Sequence, residues 1–336
     1  MATAKSKPSR KGKAAKTRST PRAAATPRKR SSGTTKPEAV QQAGTKHATI
    51  LQLLGAPTGA TIAAMMKATG WQQHSVRGFL AAFVRKRLKL DLTSTPDDGG
   101  RIYRINQTAG SAVLASRVLG RSAHGRPIRA WHLGHPGEQN DRSVPTVLLM
   151  AAMHGNEGAP RQILDALRDG PPIHLVDLWV VPVYNPDGLA RSSRRNARGV
   201  DLNRNYPYRW VNLDGNYESG ARPASEPETR AMMRFLRQLR PDWVLSFHQP
   251  LRGVDTDTKD PAFARRVADH LNLPRKSLTC GGVCHGTMTG WYNHNFAGVA
   301  LTVEYGARPG RRLMRKVAPD QVMAIFDAVR SSKPPE

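Results

Sequence analysis

Apolar positions along this chain follow two different periods, and the switch between them divides it. From residue 118 onward, near-continuous apolar runs at 144–153, 176–184, 243–247 and 299–304 alternate with stretches of helical period at 161–168, 226–239, 262–271 and 319–329. Short runs apolar on both faces predict buried strands, and their alternation with amphipathic helices predicts a mostly parallel or mixed sheet. The expected fold class is therefore α/β, with helices on both faces of that sheet. In such sheets functional groups collect at the carboxyl ends of the strands.

Residues 47–106 carry a different order. Ile50, Leu51, Leu53 and Leu54 fall at helical spacing, and the stretch 55–59 breaks it. Thr61 is placed to open a second helix with Ile62, Met65 and Met66 on one face, ending at Gly70. A third helix over 73–88 would turn Val76, Leu80, Phe83 and Val84 inward, with Phe79 at the edge of the stripe, and Arg77, Arg85, Lys86 and Arg87 outward. Alternating runs at 90–93 and 101–104 flank Asp97-Asp98-Gly99-Gly100 and read as a hairpin. Three helices followed by a hairpin predict a winged helix-turn-helix domain. The expected division is a disordered basic tail over 1–46, this domain over 47–106, a linker over 107–117 and a catalytic domain over 118–330.

Charge sharpens the reading of the first segment. The chain has 336 residues and a net charge of +27, and residues 1–46 hold 13 Lys/Arg against one acid, Glu38. A segment with so few large apolar groups cannot offset the entropy of ordering. Its basic run suits either a solvated tail or an anchor on nucleic-acid phosphates, so DNA is an expected partner. Two cysteines, Cys280 and Cys284, are too few for a disulfide framework and are read as ordinary thiols, with a local disulfide as the other reading. No apolar run approaches a membrane span, and no apolar stretch follows the basic start as in a secretory signal. No membrane partner is expected, and the expected address is cytoplasmic.

Four pieces carry chemistry. One apolar run ends in His154-Gly155-Asn156-Glu157, a second in His248, and a third in Glu304. Each suits a buried core or a surfacing strand when taken alone. Together, two imidazoles and one carboxylate leave a fourth position open, the pattern of catalytic zinc. The fourth piece, 194–207, is dense in guanidinium and amide donors, and arginine forks match a substrate carboxylate.

At these residues the sequence resembles the metallocarboxypeptidase family of zinc peptidases over about 115–330. The likeness rests on His154-x-x-Glu157, Asn185-Pro186-Asp187-Gly188, the run Gly199 to Asn205, Ser225-Glu226-Pro227-Glu228-Thr229, Ser246-Phe247-His248 and Thr302-Val303-Glu304. Ser246 to Leu251 and Gly286 to Trp291 look most like the murein peptide amidase branch, which hydrolyses the bond between γ-D-glutamate and diaminopimelate in cell-wall peptides. The resemblance implies one zinc ion per chain, held by His154, Glu157 and His248. It implies Glu304 as general base and then general acid, and Arg194 polarising the scissile carbonyl. Asn203 and Arg204 would hold the carboxylate of a cell-wall-derived peptide. Asn156 stands where digestive members carry arginine, and the flexible-loop tyrosine has no clear counterpart, with Tyr292 and Tyr305 as candidates. Asp187, His285 and His294 are read as scaffold or surface.

Residues 47–106 resemble a bacterial winged-helix family of unknown function, on Gly59-Ala60-Thr61-Ile62, Thr69 to Leu80 and Gly99 to Arg104. Two alternative functions remain. One is an N-acyl amino acid deacylase of the succinylglutamate desuccinylase or aspartoacylase type, disfavoured by Asn203 to Pro207 and His248 to Leu251. The other is a DNA-binding regulator whose peptidase domain senses peptides.

Overall fold

The computed structural model describes residues 46–56, 58–87, 90–97, 100–106, 111–134, 144–278 and 284–330. The basic tail expected over 1–46 lies outside them, apart from Lys46.

The first helix, α1, is Lys46–Gly55, and a short strand, β1, is Ala60–Thr61. Helix α2, Ile62–Thr69, begins where the Thr61 hydroxyl accepts the Ala64 N–H, and stops where Gly70 takes φ 68°, a left-handed value cheap for glycine. Helix α3, Gln73–Gly78, continues as a π-type turn over Phe79–Arg87 rather than as one regular helix. Strands β2, Asp91–Asp97, and β3, Gly100–Asn106, pair antiparallel, and β1 adds to β3, giving the order β1-β3-β2. Val76, Leu80 and Val84 are buried as expected, and Phe79 is buried too rather than marginal. Its ring stacks with those of His47 and Phe83 and meets Trp71 edge-on, so aromatic packing extends the apolar stripe.

Strands β4, Ala115–Arg121, and β5, Pro127–His132, form an antiparallel pair at one edge of the large sheet. Then come β6, Thr146–Ala151; helix α4, Arg161–Arg168; β7, Ile173–His174; β8, Asp177–Val181; and the one-turn helix α5, Pro186–Ala190. Helix α6, Pro227–Leu239, leads to β9, Trp243–His248, and β10, Leu251–Asp255. Helix α7, Pro261–Leu271, β11, Arg275–Lys276, helix α8, Met288–Asn295, and β12, Val299–Gly306, follow. Helix α9, Ala318–Ile325, and β13, Val329–Arg330, close the described chain. No described helix is long and apolar enough to cross a membrane.

The large sheet has the order β11-β10-β12-β9-β6-β8-β5-β4. Its centre, β12-β9-β6-β8, is parallel, and β10 and β5 flank it antiparallel. The mixed, mostly parallel sheet is thus observed. The sequence reading missed β4, β5, β10, β11, α5 and α8, which are short or half-exposed and lack a long apolar run.

Strand alternation separates two cores. Val147, Leu149, Leu245, Phe247, Leu301 and Val303 point to one face and pack with α4, α7 and α9. Leu148, Met150, Val244 and Ala300 point to the other and pack with α6 and α8. Helices therefore cover both faces. A third cluster joins α1–α3 and their sheet to Val329, with Leu175 packed against it. Among the described cysteines none is free; Cys284 is disulfide-bonded, and the chain's other cysteine, Cys280, lies outside the described residues. A bonded Cys284 departs from the reading of ordinary thiols.

Candidate metal centre and active-site pocket

The sheet parity decides which side chains reach the site. Ser246 and His248 share the face of Val244, and Thr302 and Glu304 share that of Ala300, so both strands deliver these groups to the α6/α8 side. In the parallel register His248 lies directly beside Glu304. His154 follows the end of β6, where Ala152 takes a left-handed φ of 50° and the chain turns out of the sheet. The Glu157 N–H closes this turn on the His154 carbonyl at 3.1 Å.

The donor atoms of His154, Glu157 and His248 all lie within 4.8 Å of one another, and all three residues are buried. Nδ1 of His154 is 2.8 Å from Glu157 Oε1, and Nδ1 of His248 is 2.8 Å from Oε2. The two Nδ1 atoms are 3.3 Å apart. The opposite nitrogens are occupied: Nε2–H of His154 donates to Asp201 Oδ1 at 3.0 Å, and Nε2 of His248 shares a hydrogen bond with Ser246 Oγ at 2.9 Å. Each ring is thereby fixed with its Nδ1 lone pair aimed at a common point, the outer support that histidine ligands of metals need. Two lone pairs and a carboxylate converging in a buried space fit one cation and little else.

Electrostatics favour the same conclusion. Burial opposes charge on His154, yet Asp201 and Glu157 outweigh it and hold its pKa up to about 9. Burial also works against the carboxylates, but His154 and His248 hold Glu157 well below the usual range, as His154, Arg194 and Arg204 do for Asp201. The field at the centre of the cluster thus calls for positive charge.

A cavity of about 580 Å³ opens over this centre. His154, Glu157 and His248 line it, and so do Glu304, Arg194, Asn203 and Arg204, so the three expected metal ligands and the four expected catalytic and substrate-binding residues share one cavity. Glu304 Oε2 accepts the Leu251 N–H at 3.1 Å, and burial, ahead of all other influences, raises its pKa. Arg194 bonds Asp201 Oδ2 through Nε at 3.0 Å and Nη2 at 2.8 Å. The Oδ1 of Asn203 accepts the Met288 N–H at 3.0 Å, tying the loop to the start of α8.

Asp201 is the residue whose role the sequence reading missed. It is fully buried and orients His154 and Arg194 together. A signal was present, because Asp201 is the single acid between Arg194 and Arg204. The tyrosines were also misplaced. Tyr292 is buried with its hydroxyl on the Pro241 carbonyl, and Tyr305 is buried in the opposite core, so neither lines the cavity. Tyr208 and Tyr217 do, and the Tyr217 ring lies 5.4 Å from the guanidinium carbon of Arg194 and 5.0 Å from that of Arg204. Asp187 is scaffold, bonded to Arg126 and the His124 N–H, and His285 meets the Arg209 carbonyl. His294 lines the cavity and stacks on Tyr208.

Comparison with known proteins places these features. A family model described as zinc carboxypeptidase matches residues 106–251, and one described as a protein of unknown function matches 39–105. Murein peptide amidase A of Escherichia coli (strain K12) is 34% identical over 188 residues, 52% of this chain and 74% of that protein. The murein peptide amidase A of Vibrio campbellii is 32% identical over 190 residues, 51% of this chain and 72% of that protein. Among solved structures, murein-tripeptide amidase from Escherichia coli O157 matches with a TM-score of 0.50 and 26% identity, covering 66% of this chain and 94% of that one. Bovine thrombin-activatable fibrinolysis inhibitor, at 17% identity and TM-score 0.52, covers 64% of this chain and 89% of that one and bears on the fold alone.

Proposed function

The chain belongs to the zinc carboxypeptidase family, and from that premise we propose that it is an amidase cleaving γ-D-glutamyl-diaminopimelate bonds in cell-wall peptides. One observation carries the proposal: Glu304 stands beside His248 in register, in one cavity with the three convergent donors and a guanidinium wall.

His154, Glu157 and His248 would hold the zinc ion, which when bound acidifies water and polarises a carbonyl. The chain's own residues do the rest. Glu304 takes a proton from the attacking water as its oxygen adds to the amide carbon. It then gives that proton to the departing nitrogen as the C–N bond breaks, and the second proton of the water follows, leaving a carboxylate and an ammonium group. Burial lifts its basicity toward the working range of such a base. Arg194, held by Asp201, faces the developing oxyanion, where one fixed donor contributes about 3 kcal/mol. Arg204 and Asn203 hold the carboxylate of the leaving residue, which fixes the scissile bond over Glu304. The N-acyl deacylase alternative lacks a comparable observation in its favour.

The test is direct. Purified protein loaded with zinc is incubated with L-alanyl-γ-D-glutamyl-meso-diaminopimelate, and free diaminopimelate is measured. Release that stops on chelation and returns with one zinc per chain is the expected result. A zinc-loaded, folded protein that releases none would remove the assignment. A cytoplasmic address is part of the proposal.

The segment 47–106 is proposed as a winged-helix domain, joined through 107–117 to a catalytic domain over 118–330, with DNA as its partner. Exposed His74, Arg77, Arg85 and Lys86 along α3 and its continuation support this. Phosphate contacts by such groups make affinity fall steeply with salt. The full-length protein is expected to shift a DNA duplex at low salt, and Arg77→Ala to weaken that binding. No shift at the lowest salt tested would refute a DNA role.

A further inference from the structure

One buried amide ties together the segments that carry the convergent donors and Glu304. Gln249 follows His248 directly, is buried and lines the cavity. Its side-chain oxygen accepts the Ala159 N–H at 3.0 Å. Ala159 lies two residues beyond Glu157, just before α4 begins. On the other side, Nε2 donates to the Gly306 carbonyl at 3.3 Å and to the Ala307 carbonyl at 3.0 Å. Gly306 closes β12, two residues past Glu304. The backbone of the same stretch adds to this. The Gln249 N–H donates to Glu157 Oε2 at 3.3 Å, and the Leu251 N–H donates to Glu304 Oε2 at 3.1 Å.

The partners call for a primary amide. A backbone N–H on one side needs an acceptor, and two carbonyls on the other need two donors. Glutamine presents that set in one plane. A carboxylate would turn lone pairs on the carbonyls, and a hydrocarbon would leave all three groups unanswered. The sheet shows why such a link is needed. β6, which leads into the loop of His154 and Glu157, is not a neighbour of β12, because β9 lies between them. No ladder of backbone bonds therefore fixes that loop against the end of β12. Gln249, one residue past β9, spans the gap.

We propose that Gln249 is a positioning residue, whose amide sets the distance between the loop of His154 and Glu157 and the carboxylate of Glu304. The inference rests on the amidase reading and deepens it. Proton transfer to Glu304 requires hydrogen-bond reach of the attacking water. A misplacement of about 1 Å can cost roughly 100-fold in rate.

Gln249→Met tests this, because it keeps the length and unbranched shape but loses every side-chain bond to Ala159, Gly306 and Ala307. Full-length wild type and variant are compared in steady-state kinetics on the murein tripeptide. The visible absorption spectrum of each, with cobalt(II) in place of zinc, reads the geometry of the donors without turnover. Per metal-loaded molecule, kcat is expected to fall about 10- to 100-fold while KM stays within about 3-fold. The cobalt spectrum should shift, because the loop moves against His248. Wild-type kcat in the variant would overturn the inference. So would a loss carried by KM alone, which marks a substrate contact, or a loss that only follows the folded fraction. An unaltered cobalt spectrum would overturn it too. If the wild type turns over no tripeptide, the amidase reading fails, and the spectrum still decides whether Gln249 positions the loop. Should Gln249→Met fail to fold, Gln249→Asn, one methylene too short to span both sides, is read by the same criteria.

Discussion

Glu304→Gln is expected to lower kcat/KM on the murein tripeptide by about 1,000-fold, within the range that a positioned proton-transfer group supplies. That loss corresponds to roughly 4 kcal/mol of barrier. Glutamine keeps the volume and an oxygen that accepts the Leu251 N–H, so the end of β12 should hold its place. Glu304 is not one of the three convergent donors, so zinc content should remain at one per chain. The chemical step should therefore suffer more than KM does. The decisive comparison pairs metal analysis with steady-state kinetics. A variant with full zinc and wild-type turnover would remove Glu304 from the reaction, and one that loses zinc would recast it as a ligand.

Gly155→Ala should have the other large effect, on folding and on the metal site together. A Cβ at Gly155 would sit 1.9 Å from the Gly188 carbonyl carbon and 2.3 Å from the Leu189 nitrogen. These are backbone atoms of α5, the helix whose first turn is capped by the Asn185 side chain. Neither segment can yield by a rotamer change, so the loop bearing His154 and Glu157 must move off α5. A forced methyl in packed backbone costs about 3 kcal/mol or more. For a chain of this size each kcal/mol moves Tm by about 2–4 °C, so a drop of roughly 6 °C or more is expected. Zinc affinity should fall with it, because two of the three donors ride on that loop. Thermal unfolding and zinc competition read these effects separately. Gly199→Ala is the matched control: its φ is 81°, but a Cβ there meets nothing within 4 Å, so only the left-handed backbone cost of about 1–2 kcal/mol applies. Equal behaviour of the two variants would argue against the close approach of the two loops.

Much of the site was legible in the residue order alone, for a specific reason. His154, His248 and Glu304 each follow an apolar run long enough to be a buried strand, and parallel strands end on one edge of a sheet. Knowing where each run stops is then nearly enough to know that the three side chains assemble. The central helices were equally visible, with α4 over Arg161–Arg168 and α6 over Pro227–Leu239 falling where the helical period placed them. The edge strands β4 and β5 were not, because β4 is mostly exposed and β5 offers only a short alternating run.

Sequence by itself determined the alternation of strands and helices, the donor set of two imidazoles and a carboxylate, and the guanidinium-rich loop that faces it. These are local properties, fixed by periodicity and by the chemistry of side chains at strand ends. Only the tertiary structure decided that Asp201 clamps His154 and Arg194 together, that Tyr217 rather than Tyr292 or Tyr305 overlies the arginines, and that Gln249 bridges Ala159 and the end of β12. Each of those facts depends on strand register or on the meeting of loops far apart in the chain. Such pairings are set by packing across the whole sheet, where a shift of one residue would turn every side chain to the opposite face.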